Sequence, residues 1–166
     1  MTRDPVSPAE IDREIPASLS ALYQEVILDH YRRPRNKGTL EGATRSVTMS
    51  NPLCGDVIEL MLRMEGDRIA EARFAGKGCS ISQAAASMLT GGLEGRTVDE
   101  ARALARTFTR MMHGDEESSR DRELGDLRAL AGVSRFPVRI KCALLGFNCL
   151  EELLGEEEDR AAGGPS

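Results

Sequence analysis

The amino-acid sequence predicts an α+β fold in which helices pack on one small antiparallel sheet within a single domain. Three observations support this prediction. One helical pattern precedes a run of strand patterns, and further helical patterns follow that run. Two of the strand patterns are joined by the tight turn Glu65-Gly66-Asp67, which is typical of antiparallel neighbours. The chain has 166 residues, a length that suits one compact domain.

The first predicted elements are one helix and a meander of strands. The helix begins after an N-cap at Ser18 or Ser20 and ends before Pro34, which breaks the apolar pattern. Three strands are predicted from apolar residues that alternate with polar ones, at residues 47–49, 58–64 and 69–74.

Helices dominate the second half of the chain. Residues 80–89 contain no helix breaker, and Thr97 and Glu100 form the S/T-x-x-E pair that begins another helix, which runs to about Met112. The acidic segment 115–126 is predicted to be an exposed loop, followed by a short helical piece at 127–131. Residues 138–154 repeat apolar side chains at helical spacing and form the last predicted helix.

These patterns define a folded domain at residues 18–154. Residues 1–17 are expected to form a flexible N-terminal extension, because they mix charges with three prolines. Residues 155–166 are acidic and then glycine-rich, so we expect a disordered tail without a function of its own.

Composition argues against two classes of partner. The formal net charge is −5, so the chain has no broad basic field that would attract nucleic acid or an anionic membrane. The N-terminal segment lacks the apolar core of a secretory signal, and no apolar run reaches the roughly 18 residues that span a bilayer. We therefore expect a cytoplasmic protein that binds neither nucleic acid nor a membrane, and whose four cysteines stay reduced.

Three of those cysteines share a setting. Cys54, Cys79 and Cys142 each lie at the start or end of a predicted element, where functional residues concentrate. Asp56 follows Cys54 across one glycine, so the four residues could supply the sulfur and oxygen ligands that a four-coordinate zinc site uses. The cysteines lack the paired C-x2–4-C spacing of zinc ribbons, however, so spacing alone leaves three scattered buried thiols as an equal alternative.

Four motifs in a fixed order resemble those of the U-type iron–sulfur scaffold superfamily, and the resemblance extends from Leu22 to Leu154. The motifs are Asp29-His30-Tyr31-Arg32-Arg33-Pro34-Arg35-Asn36, Asn51-Pro52-Leu53-Cys54-Gly55-Asp56, Gly76-Lys77-Gly78-Cys79-Ser80-Ile81-Ser82 and Phe136-Pro137-Val138-Arg139-Ile140-Lys141-Cys142.

Two branches of that superfamily differ at positions that this sequence contains. The IscU scaffolds have a histidine before the third cysteine and a Pro-Pro stretch upstream, whereas this chain has Lys141 and the stretch Phe136-Pro-Val-Arg. The long segment 96–132 is similar to the insertion of the SufU branch. The resemblance therefore favours SufU and implies Zn²⁺ held by the three cysteines, with Asp56 as the fourth ligand because a lysine is not expected to bind zinc.

The SufU resemblance also implies an activity. Such proteins accept persulfide sulfur from a pyridoxal-phosphate-dependent cysteine desulfurase of the SufS type and supply downstream iron–sulfur assembly proteins. A histidine of the desulfurase replaces Cys54 on zinc, which frees Cys54 to accept sulfur, and Arg139 assists this exchange. Two alternatives stay open: an IscU-like scaffold that assembles a [2Fe–2S] cluster on its own cysteines, and an interaction module in which zinc is only structural.

Several residues near these motifs have two interpretations. Asp56 could be an ordinary turn residue, and Arg139 an ordinary surface arginine. His30 and Tyr31 either complete the first helix or lie on the partner's docking surface. Cys149 is too far along its helix from Cys142 to share a metal, so we expect it to be a small apolar packing residue.

Overall fold

A computed structural model describes residues 21–162, with side chains from Leu22 to Gly155. The predicted extension 1–17, both candidate N-caps and residues 163–166 lie outside this range. The described elements are α1 (Ala21–Arg32), β1 (Arg45–Asn51), β2 (Asp56–Glu65), β3 (Arg68–Lys77), α2 (Ser80–Leu93), α3 (Val98–Met112), two 3₁₀ segments (Ser118–Arg120 and Arg122–Arg135) and α4 (Pro137–Ala162).

The three strands form one antiparallel sheet in the order β1-β2-β3. Gly66 turns β2 into β3 with a φ of 63°, a conformation that favours glycine. Alternate residues of the two strands point toward the helices and are fully or almost fully buried: Ile58, Leu60, Leu62, Ala72 and Phe74. The α+β prediction is therefore confirmed, including the period-2 alternation on which it depended.

Helices α2 and α4 pack on the buried face of this sheet. The helix α3 packs against α4, where the rings of Phe108 and Phe147 stack with centroids 4.1 Å apart and an interplanar angle of 10°. The predicted capping box of α3 is present, since Thr97 Oγ1 accepts the Glu100 N–H and Glu100 Oε1 accepts the Thr97 N–H. The first turn of α3 is thus fixed locally.

The acidic segment differs from its prediction. It is not simply an exposed loop, because residues 122–135 form a 3₁₀ segment that buries Leu124, Leu127 and Leu130 against the core. Gly125 interrupts this segment with a φ of 55°. The apolar residues of this segment do not follow the 3.6-residue period of an α-helix, because a 3₁₀ helix has three residues per turn and Gly125 interrupts it. The sequence pattern therefore predicts only the short piece at 127–131.

The last helix is longer than predicted. Apolar spacing ends at Leu154, but α4 continues to Ala162, into the segment assigned to the tail. Residues 156–162 are glutamate, aspartate, arginine and alanine, which tolerate helix well, and no breaker occurs before Gly163. Within the described range, no helix has the length and apolar character needed to cross a bilayer.

Candidate metal centre

The turn between β1 and β2 carries Cys54. The Cys54 N–H donates to the carbonyl of Asn51 at 3.2 Å, which closes the turn. Gly55 follows with a φ of 69°, and nothing lies within 4 Å of the position that a Cβ would occupy there. Cys54 is half-buried and the neighbouring Leu53 is 74% exposed. The turn therefore presents a cysteine at the surface, with free space beside it.

Asp56 is the first residue of β2 and is completely buried. One of its oxygens, Oδ1, accepts the backbone N–H of Cys79 at 2.8 Å. Gly78 permits this approach, because a Cβ at Gly78 would collide with Asp56 Oδ1 and would lie 2.7 Å from Ser82 Oγ. A buried carboxylate bonded in this way is not an ordinary exposed turn residue.

Cys79 and Cys142 come from the beginnings of two helices. Cys79 is the N-cap of α2, and its Sγ accepts the Ser82 N–H at 3.4 Å. Cys142 lies in the second turn of α4 and is completely buried, and its Sγ lies 3.7 Å from the side-chain amide nitrogen of Asn51. Helix N-termini carry partial positive charge, which favours a thiolate at the N-cap position of Cys79.

All four predicted ligands converge at this point. The ligand atoms of Cys54, Asp56 and Cys142 lie within 4.8 Å of one another, and the two sulfur atoms are 3.1 Å apart. Cys79 adjoins this group, with its Sγ 3.9 Å from Asp56 Oδ2. The chain thus gathers three sulfur donors and one oxygen donor, the number and type that a tetrahedral zinc site uses.

The charges of this cluster also suit a cation. In the part of the chain that the structure describes, the buried Asp56 carboxylate forms no ion pair with a lysine or arginine, although a buried charge normally requires a partner. Thiolates would add negative charge beside it. A divalent cation bound by these groups would supply the missing positive charge, so the donor set fits zinc.

The thiols of Cys79 and Cys142 shift each other's pKa. A hydrogen bond from the Cys142 thiol lowers the pKa of Cys79 to about 7, and the same contact together with burial raises the pKa of Cys142. One sulfur of the cluster is therefore readily ionised near neutral pH, which is the form that binds metals and attacks electrophiles.

Cys149 lies away from the cluster. Its Sγ contacts the carbonyl of Ile58 at 3.6 Å in the core, and burial raises its pKa to about 11. This surrounding is that of a packing residue, as the sequence predicts.

The His30 side chain is buried and contacts two other elements of the fold. It is 5% exposed, its Nδ1 lies 2.7 Å from Ser87 Oγ, and its Nε2 lies 2.8 Å from Asp126 Oδ2. Since Asp126 belongs to the second 3₁₀ segment, His30 joins α1, α2 and that segment. The motif around His30 gave no sign of these two partners, because both are distant in sequence. Tyr31, by contrast, is 37% exposed.

Three residues that precede Cys142 on α4 differ in exposure: Val138, Arg139 and Lys141. Arg139 lies one turn before Cys142 and is half-buried, whereas Lys141 is exposed. Val138 is 58% exposed, so together with Leu53 it gives the rim of the cluster an apolar surface. A groove of about 1040 Å³ lies between α3 and α4, but none of the four candidate ligands lines it. The candidate ligand cluster is therefore separate from this groove.

Comparisons with known proteins show the family of this chain. A family model described as the NifU-like N-terminal domain matches residues 22–143. The zinc-dependent sulfurtransferase SufU of Bacillus subtilis is 46% identical over 86% of this chain and 95% of its own length. The iron–sulfur cluster assembly scaffold protein IscU of Streptococcus pyogenes is 44% identical over 83% of this chain and 86% of its own. A crystal structure assigned as an iron–sulfur cluster assembly scaffold for the SUF system of Fervidobacterium islandicum superposes with a TM-score of 0.72 at 32% identity, and covers 78% of this chain and 94% of that one.

Proposed function

The chain belongs to the NifU-like N-terminal domain family, and on that premise we propose that it is a zinc-dependent sulfur acceptor that works with a cysteine desulfurase in iron–sulfur cluster assembly. The observation that carries the proposal is the convergence of Cys54, Asp56, Cys79 and Cys142, in which one cysteine, Cys54, lies on an open turn and the others are anchored on regular elements. The name of the Bacillus subtilis relative supports zinc as the metal.

The four converging residues would hold zinc, with Asp56 as the oxygen ligand. Zinc supplies a charge that keeps bound thiols deprotonated near neutral pH. Asp56 has a second function in this arrangement, because its Oδ1 accepts the Cys79 N–H and so fixes the first turn of α2 beside the site. Cys79 and Cys142 would stay bound as the anchored ligands.

Cys54 is the acceptor. Its thiolate attacks the outer sulfur of a persulfide on the partner, and a new S–S bond forms between Cys54 Sγ and that sulfur. The S–S bond within the partner's persulfide breaks, and the partner's cysteine leaves as a thiolate, so no external oxidant or reductant is needed. The open position beside Gly55 allows the turn to move toward the partner. Arg139, one turn before Cys142, assists from the rim, where its positive charge favours the anionic groups of the exchange.

A scaffold function is the second candidate. The Streptococcus pyogenes relative carries that name, and three thiolates can also bind an iron–sulfur cluster. Lys141 favours the acceptor function, since this position lacks the histidine that distinguishes the IscU scaffolds.

The test is the desulfurase activity of the cognate pyridoxal-phosphate enzyme with and without this protein. We expect the zinc-loaded chain to raise cysteine turnover, Cys54→Ala to abolish the gain, and mass spectrometry to find one additional sulfur on Cys54. Cys149→Ala is the matched control, because its thiol lies in the core and should leave the gain intact. No stimulation by the fully zinc-loaded protein would refute the proposal.

The same variants distinguish a purely structural zinc site. If zinc only stabilises the fold, Cys54→Ala should lower the thermal melting temperature and should have no separate effect on sulfur transfer. If Cys54 is the acceptor, the variant should keep a cooperative melt while the stimulation is lost.

A further inference from the structure

The three thiols of the metal centre differ in their N–H donors. Cys79 Sγ accepts the Ser82 N–H at 3.4 Å, and Cys142 Sγ accepts the Asn51 side-chain amide at 3.7 Å. Cys54 Sγ has only Cys142 Sγ, at 3.1 Å, as a hydrogen-bonding neighbour among the described residues. The thiol on the open turn is therefore the one without an N–H donor.

Asn51 contacts the centre in three ways. It is the last residue of β1 and 8% exposed, and its side-chain amide reaches Cys142. Its backbone carbonyl accepts the Cys54 N–H at 3.2 Å, and in the sheet it is the direct partner of Asp56. One buried polar residue thus joins three of the four candidate ligands.

A hydrogen bond to a thiolate changes its reactivity. The bond stabilises the negative charge on sulfur, and the intrinsic nucleophilicity of a thiolate falls as its basicity falls. Residues that form hydrogen bonds to a metal ligand also fix the position of that ligand at the metal. A thiolate without an N–H donor keeps more of its nucleophilicity, and fewer interactions are broken when it leaves the metal.

We propose that Asn51 is a positioning residue that directs sulfur acceptance to Cys54. Its side-chain amide lowers the nucleophilicity of the Cys142 thiolate, while its backbone carbonyl holds the turn that carries Cys54. The inference rests on the proposed function, since it assigns the selectivity of that same site. It concerns which of two sulfur atoms, 3.1 Å apart, reacts with the partner's persulfide.

The test compares the two sulfur atoms directly. Zinc-loaded protein is treated with a limiting amount of iodoacetamide, and peptide mass spectrometry gives the initial rates at Cys54 and Cys142. In the native chain Cys54 should react faster. In Asn51→Leu, which keeps the volume but lacks the donor, the ratio of the two rates should fall about threefold, as expected if thiolate basicity rises about tenfold and the Brønsted exponent is about 0.4–0.5.

Asn148→Leu is the matched control. Asn148 is exposed on α4 and lies outside the metal centre, so this change should leave the ratio unaltered. An unchanged ratio in a folded, zinc-loaded Asn51→Leu protein would overturn the inference.

A measurement on the native chain covers the case in which Asn51→Leu does not fold. With ¹¹³Cd in place of zinc and ¹⁵N labelling, cadmium should couple through sulfur to the Asn51 side-chain amide protons. The Ser82 backbone amide, bonded to Cys79 Sγ, is the internal reference. Coupling at Ser82 without coupling at Asn51 would contradict the proposed bond.

Neither measurement uses a desulfurase. Loss of selectivity in Asn51→Leu together with no stimulation of the desulfurase would therefore refute the sulfur-acceptor function and leave the role of Asn51 intact. Stimulation of the desulfurase together with an unchanged alkylation ratio would refute the role of Asn51 and leave the sulfur-acceptor function intact.

Discussion

Gly78→Ala should weaken zinc binding although residue 78 supplies no ligand. The added Cβ would collide with Asp56 Oδ1, lie 2.7 Å from Ser82 Oγ and lie 3.0 Å from the Asp56 Cα atom. Asp56 is completely buried, so its carboxylate can yield only by leaving the Cys79 N–H, to which it is bonded at 2.8 Å. The collision therefore separates a candidate oxygen ligand from the group that orients it.

The magnitude follows from the lost bond. A hydrogen bond to a charged group contributes about 1.5–3 kcal/mol, and each 1.4 kcal/mol is a factor of ten in an equilibrium constant. We therefore expect zinc affinity to fall by about 10- to 100-fold, the range typical of removing a group that orients a metal ligand. Competition with a chromophoric zinc chelator measures this change.

Gly95→Ala separates the collision from backbone strain. Gly95 also has a positive φ, 87°, but nothing lies within 4 Å of its added Cβ. This variant should lose about 1–2 kcal/mol of folding free energy through strain and keep its zinc affinity. The reasoning is refuted if the zinc affinities of Gly78→Ala and Gly95→Ala agree within about twofold, a difference of roughly 0.4 kcal/mol.

Two further predictions concern groups near the centre. His30→Ala removes a buried side chain that contacts both Ser87 and Asp126, so the free energy of unfolding in urea should fall by about 2–4 kcal/mol. In chelator-treated protein, alkylation of Cys79 should rise as pH increases through about 7, because its pKa is lowered to about 7 and only the thiolate reacts. Cys149, whose pKa is raised to about 11, should stay unreactive over the same range.

Both predictions have an outcome that would contradict them. If His30 belongs to a docking surface instead, His30→Ala should keep native stability and weaken stimulation of the desulfurase. Tyr31→Ala, at a more exposed neighbouring residue, is the control and should lower the free energy of unfolding by less than about 1 kcal/mol. If Cys79 behaves as an ordinary thiol, its alkylation rate should keep rising up to about pH 9.

The residues of the candidate centre could be named from the sequence, whereas some of their contacts could not. Cys54, Asp56, Cys79 and Cys142 could be named because their motifs resemble those of a known family, since the spacing of the cysteines alone left scattered buried thiols as an equal alternative. The contact between the Asn51 side-chain amide and Cys142 Sγ could not be predicted, because the two residues are 91 positions apart and meet only where the end of β1 packs beside α4.

In the overall fold, too, the elements with local sequence signals were predicted and those that depend on distant contacts were not. The sheet follows from period-2 alternation, and α3 from its capping box, since both are local signals. The second 3₁₀ segment was predicted only in part, at 127–131, because Gly125 divides it and because its burial depends on contacts with α1 and α3. His30 illustrates the difficulty, since its partner Asp126 is 96 positions away and lies within the acidic run that suggested a solvated loop.

The sequence separation of the candidate ligands gives the metal a topological role. Cys54 and Cys142 are 88 positions apart, so a metal that joins them closes a loop comparable with that of a long-range disulfide, which restricts the unfolded chain by about 4–5 kcal/mol in the chain-entropy model. If Cys54 left the metal to accept sulfur, Asp56 and Cys79 would still connect the sheet and α2 to Cys142. The cross-link would therefore persist, and the turn that carries Cys54 could move outward without releasing the N-terminal end of α4.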